Sequence, residues 1–174
     1  MTRFVALLRG VNVGGVNLKM ADVASAFAAL GLENVKTVLA SGNVLFDSPL
    51  PAAELKPTIE KALRERFGYE AWVHVLDLDT IRRVIADFPF DAEREGWHPY
   101  VIFTLDPALA AELLAWQDKL DPVEESIRAG DGVIYWTVER GNTLGSAFAK
   151  ETARSKHKAT TTTRNLRTLQ KLVK

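Results

Sequence analysis

The chain has 174 residues, 47% hydrophobic and 25% charged, with 22 basic side chains against 22 acidic ones and no cysteine. That length buries the core of one domain or of two small ones packed together, and the absence of low-complexity tracts argues against disorder. Disulfides, thiolate nucleophiles and cysteine-ligated metals are excluded, no apolar run approaches the ~20 residues that cross a bilayer, and Arg3, Arg9 and Lys19 do not sit in a signal-peptide pattern. A soluble, cytoplasmic protein is the expectation.

The first predicted element is an aliphatic strand from residue 3 to Arg9, followed by a glycine-studded loop from Gly10 to Gly15. Met20, Val23, Ala24, Phe27 and Leu30 fall at helical spacing and Gly31 is a natural stop. Two short runs, Val35 to Ala40 and Val44 to Asp47, join through Ser41-Gly42-Asn43 and predict a hairpin. After Pro49 and Pro51 a second helix carries Leu55, Ile59, Ala62, Leu63 and Phe67 on one face and ends at Gly68, and Ala71 to Leu76 reads as a strand. The order βαββαβ is that of the ferredoxin-like plait.

A third helix is predicted from Asp79 to Phe88. The polar stretch Pro89 to Pro99 reads as an exposed linker, dividing the chain into residues 1–90 and 91–174. Beyond it come a strand from Tyr100 to Leu105 and an Asp106-capped helix with Leu109, Leu113, Trp116 and Leu120 on one face. A hairpin turns at Gly130-Asp131-Gly132, and helical patterns occupy 144–153 and 163–173. In the segment Ala159 to Asn165, ATTTTRN, a threonine is read as the cap of the last helix. The second half therefore reads αβαββαα, and the fold class is α+β with two related, packed halves, sheet against sheet as one arrangement.

Candidate chemistry is sparse. Gly10 and Gly15 have the spacing of a phosphate-binding loop, but Val16 and Asn17 stand where lysine and a hydroxyl are required, so nucleotide hydrolysis fails. What survives is a set of loop amides with Arg9, Asn12, Gly14, Gly15 and Lys19 near a helix start, fit for a carboxylate or phosphate. Ser155 to Lys158 matches S-x-x-K without the S-D-N or K-T-G that accompany it in penicillin-recognising enzymes, and is read as coincidence. His74, His98 and His157 form no metal-ligand spacing, and no cofactor or metal is expected. The hairpin sequence GNVLFD lacks the stacking aromatics of an RNA-binding plait. Residues 150–174 hold eight basic residues and one acid, Glu151, a net of +7; the first 149 hold 14 basic and 21 acidic groups, a net of −7. Such a tail pairs with its own body or with an anionic partner.

The segments ALLRGVNVGGVNLKMADV, LASGNVLF, FPF and TTRNLRTLQKL together resemble a bacterial family known as a domain of unknown function, number 1697. The resemblance spans nearly the whole chain. Leu166 and Arg167 stand where tryptophan and asparagine are common in that family. It implies a two-part α+β structure with ferredoxin-like topology and no established activity, substrate or cofactor. Its three polar motifs suggest one pocket lined by Arg9, Asn12, Gly14, Gly15, Lys19, Ser41, Asn43, Thr163, Arg164 and Asn165. The leading functional expectation is binding, with turnover left open, of a small anionic or phosphorylated ligand. A nucleic-acid-associated protein using the basic tail is one alternative, and a structural or partner-binding module is another. No membrane association is expected, and the oligomeric state is left undetermined.

Overall fold

The structure, a computed structural model, describes residues 1–12 and 16–174; the expected roles of Gly14 and Gly15 lie outside the described residues. The fold is α+β with two four-stranded antiparallel sheets. Two compact units divide the chain, Met1–Ile81 with Lys171–Lys174, and Arg82–Gln170.

In the first unit the order is β1 (Thr2–Leu8), α1 (Met20–Ala29), β2 (Glu33–Val38), β3 (Asn43–Ser48), α2 (Ala52–Phe67) and β4 (Val73–Asp77). The sheet runs β2-β3-β1-β4, the split βαβ order that the alternation of elements predicts. Alternate residues of β1, Phe4, Ala6 and Leu8, share a core with Val23 and Phe27 of α1 and with Leu55, Ile59 and Leu63 of α2. Each large side chain so buried contributes about 1.5–3 kcal/mol. The residues of α2 at every fourth position, Lys56, Glu60 and Arg64, line the outer edge of β4. There the Glu60 carboxylate accepts from Val73 N (3.0 Å), Lys56 donates to Val73 O (3.1 Å), and Arg64 donates to Ala71 O (2.8 Å). An edge strand is thereby closed by side chains rather than by another strand.

The second unit begins within α3 (Leu78–Ala86) and contains β5 (Trp97–Thr104), α4 (Pro107–Leu114), β6 (Glu125–Ala129), β7 (Val133–Glu139), α5 (Ala147–Thr152), β8 (Thr161–Asn165) and most of α6 (Leu166–Leu172). The expected linker ends earlier than its polarity suggested. Trp97 opens β5 and is buried, with the Arg94 guanidinium 3.7 Å from its ring centre. The helix expected through Leu120 stops at Leu114, and the chain tightens into a 3-10 turn at Gln117–Lys119. The larger departure is ATTTTRN. Thr161 to Asn165 form an edge strand on β5, with Thr161 and Thr162 buried, because β-branched threonines suit a pleated surface. The last helix starts only at Leu166, and Asn165, not a threonine, accepts the Arg167 amide (2.9 Å).

With β8 in place the second sheet runs β6-β7-β5-β8, so the two units share one topology, β1 matching β5 and β4 matching β8. The match extends to single hydrogen bonds. Leu8 N donates to Gly42 O (2.8 Å) and Thr104 N to Gly132 O (3.0 Å), while Arg9 N donates to Trp72 O (2.9 Å) and Leu105 N to Thr160 O (2.9 Å).

Two phenols are held in dry surroundings. Burial pushes Tyr69 up to about 12. Tyr135, which donates to Val84 O (2.8 Å), is also pushed up to about 12, first by burial and then by Asp87 and Asp131. The unfolded chain ionises its tyrosines near 10, so this contribution to stability is intact below that pH and falls as pH rises towards about 12. An ultraviolet titration is expected to show Tyr69 and Tyr135 ionising late, together with loss of structure over that window, and Tyr135→Phe is expected to flatten the decline.

Candidate functional site

The repeated topology supplies an internal comparison. From β5 to α4 the chain needs two residues, Leu105 and Asp106; from β1 to α1 it uses eleven, Arg9 to Lys19. The fold does not require the longer connection, and long loops on a rigid scaffold are where function concentrates. Its described part is tied down by Asn12, which adopts the left-handed region at φ 60°. The Asn12 side chain donates to Ala40 O (2.6 Å) and accepts from Leu18 N (2.9 Å), and its amide donates to Val16 O (2.6 Å). Loop and hairpin are thereby stitched together.

The hairpin side is equally determined. Gly42 takes φ 90°, and a Cβ there would stand 2.9 Å from Leu8 Cβ and 3.3 Å from Val11 Cβ, so only glycine lets the turn close over β1. Asn43, with no exposed surface, donates to Val38 O (2.8 Å) and to the Ser41 hydroxyl (3.0 Å).

Leu7 pairs with Asn43 on one side and His74 on the other, all on the face away from the helical core. One step beyond, the bonds of Leu8 N to Gly42 O and Arg9 N to Trp72 O continue the ladder. Arg9 therefore stands between Ser41 and Trp72 in the last row of that face, above the row of Asn43, Leu7 and His74. The guanidinium is half-buried, and its Nε is shut off from water without a hydrogen-bond partner among the described residues. No described carboxylate pairs with it, and burial lowers its pKa. Trp72 Nε1 is a second buried donor without a hydrogen-bond partner among the described residues, and the Arg64 guanidinium lies 4.4 Å from the Trp72 ring centre. Arg9 Nε and Trp72 Nε1 are thus two buried donors in one row with no acceptor among the described residues, which is the chemistry that receives an oxyanion. Lys19, exposed, precedes α1 at the far end of the loop.

A family model described as protein of unknown function (DUF1697) matches residues 1–135. The chain belongs to the DUF1697 family. The matched span of this DUF1697 chain holds both the Arg9–Lys19 connection and the Ser41-Gly42-Asn43 turn and leaves out residues 163–165. No curated protein matches its sequence. Among solved structures it is similar to the conserved bacterial protein SP0830 from Streptococcus pneumoniae, at 24% identity and a TM-score of 0.80 over 99% of this chain and 97% of that one, a likeness of fold.

Of the residues expected to line one pocket, Arg9, Asn12, Ser41 and Asn43 meet in the first unit. Thr163, Arg164 and Asn165 belong to the second unit of the DUF1697 chain, where Thr163 is exposed and Arg164 is buried, donating to Thr162 Oγ1 (2.8 Å) and Thr163 O (3.0 Å). In the same tail Lys156 pairs with Glu112 at 2.6 Å and Arg154 with Glu151 at 3.4 Å. No group of three or more metal-ligating side chains occurs among the described residues, and no described helix is long and apolar enough to cross a membrane. Sequence reading missed Trp72, whose place beside Arg9 follows from strand register alone. Near the matching end of the second unit lies a cavity of about 430 Å³ lined by Leu105, Pro107, Ala111, Leu114 and Val133 among others, with no charged side chain.

Proposed function

We propose that the protein binds a small ligand bearing an oxyanion, a carboxylate or a phosphate, at the end of β1, with the Arg9 guanidinium as the principal contact. What carries the reading is a half-buried guanidinium without a described partner, on a connection nine residues longer than its counterpart in the same chain. A cation removed from water is costly until an anion meets it, so the ligand is the natural counter-charge. Trp72 Nε1 and the Ser41 hydroxyl flank Arg9 as further donors, and Lys19 at the far end of the connection adds a second positive charge. Asn12 and Asn43 act as the staples that hold loop and hairpin in place. Ferredoxin-like plaits and a cytoplasmic setting form part of this reading, the latter because a chain without cysteine suits a reducing compartment.

The test is a thermal-shift screen of nucleotides, sugar phosphates and dicarboxylates against wild type and Arg9→Met. A ligand at about a hundredfold its Kd stabilises the folded state by about 2.7 kcal/mol. Hits are expected with wild type and not with Arg9→Met. Silence with both, or hits that survive the substitution, would refute the site. The nucleic-acid alternative finds less support, because Lys156 and Arg154 of the tail are already in ion pairs and Arg164 is buried. It requires oligonucleotide affinity that falls steeply with salt.

A further inference from the structure

We infer that the second unit carries an anion subsite of its own, in which His98, Arg140 and Arg167 receive a phosphate group. His98 lies near the start of β5, opposite Val138 of β7. Arg140 N donates to Gly96 O at 2.7 Å, which extends the β5–β7 ladder so that Arg140 is the next residue after Val138 on the His98 face. On the other side Tyr100 pairs with Asn165, and two residues further stands Arg167, whose amide is fixed by Asn165 Oδ1 at 2.9 Å. Arg140, in the turn after β7, and Arg167, in the first turn of α6, both act on the imidazole through their charge. Both arginines are exposed, and among the described residues neither side chain has a hydrogen bond or an ion pair.

One acid, Glu125, stands in the same row across Val138, and its carboxylate is taken up by Trp136 Nε1, Ser146 Oγ and Phe148 N. Glu139 pairs with Trp97, so it alternates to the opposite face, and Glu95 lies in the exposed turn before β5. The His98 ring rests 5.8 Å from that of Tyr100, with Nδ1 buried and without a hydrogen-bond partner among the described residues. Burial first, then the charges of Arg140 and Arg167, hold His98 below its ordinary range. Two cations and a neutral imidazole donor match the three terminal oxygens of inorganic phosphate or a phosphate monoester. When the dianion arrives the sign of the local field reverses, and His98 is free to take up a proton.

The three histidines can be followed by NMR through a pH titration in inorganic phosphate and in chloride at matched ionic strength. Phosphate is expected to raise the His98 midpoint and chloride to leave it in place. Arg140→Gln/Arg167→Gln is expected to raise the resting midpoint and abolish the response. The two exposed arginines replaced singly serve if the double variant does not fold, each weakening the response. A nucleoside monophosphate and an oligonucleotide distinguish a free nucleotide from a nucleic acid as the source of the phosphate, by whichever moves His98 at lower concentration. Equal responses to phosphate and chloride, or a phosphate response that survives the arginine substitutions, would overturn the subsite. Arg9→Met is expected to keep the His98 response, so failure here and failure of the first-unit site read separately.

Discussion

Glu125→Ala is expected to destabilise the second unit by about 3 kcal/mol or more, among the largest effects of any single side chain in the protein. The Glu125 carboxylate is 2% exposed and accepts from Trp136 Nε1 (3.0 Å), Ser146 Oγ (2.8 Å) and Phe148 N (3.4 Å). Ser146 in turn caps α5 by accepting from Ala149 N (3.0 Å). One carboxylate thus holds the indole of β7, the cap and the first turn of α5. Truncation leaves three buried donors without an acceptor, each worth about 1–3 kcal/mol and not additive. Glu125→Gln keeps one acceptor oxygen and is expected to cost about half as much. Denaturant unfolding read by hydrogen exchange in β7 and α5 measures this unit by unit. A loss below about 1 kcal/mol for the alanine variant would show that the donors find other partners.

Gly42→Ala is expected to cost about 2–4 kcal/mol, the sum of a left-handed backbone penalty and an overpacked contact. The contact cannot relax cheaply, since the new Cβ meets Leu8 Cβ at 2.9 Å, an atom fixed to the central strand. The internal repeat provides the control. Gly132, its counterpart, takes φ 72° with nothing within 4 Å of an added Cβ, so Gly132→Ala is expected to cost only about 1 kcal/mol. Equal losses in the two variants would mean that the close approach to β1 contributes nothing. Because Gly42 O accepts from Leu8 N, the first substitution is also expected to displace Arg9 and abolish ligand binding.

The order of elements in the first unit is readable in the sequence because its strands and helices bury one face each, so periodicity reports structure directly. The turn at Ser41-Gly42-Asn43 is legible for a different reason, since few residues tolerate the positive φ that Gly42 adopts. Thr161 to Asn165 is not legible locally. Threonine serves both as a helix cap and as a strand former, and the deciding factor is the free edge of β5, some sixty residues away in sequence. Trp97 hides inside a charged stretch because its burial depends on β7 and on Arg94 rather than on its neighbours. Glu60 and Glu125 look like solvated carboxylates in sequence, and only the tertiary fold reveals the backbone and side-chain donors that enclose them. The repeat of one topology is likewise invisible by identity, since it is carried by the pattern of apolar positions and two glycine turns.

That repeat gives the Arg9 site its meaning. At matching points of the two units one chain places Arg9 between Ser41 and Trp72, at the head of an eleven-residue connection, and elsewhere places Leu105 beside Thr160, at the head of a two-residue one. The apolar version satisfies the fold, so the cation is retained against stability. The most direct measurement is the hydrogen-exchange stability of β1 and β4 in ligand-free Arg9→Met against wild type. If the guanidinium waits unpaired for an anion, the methionine variant is more stable, by about 1 kcal/mol, since half of the side chain still meets water. A variant less stable by the same amount would show that Arg9 is a fixed part of the packing, and the site would lose its foundation.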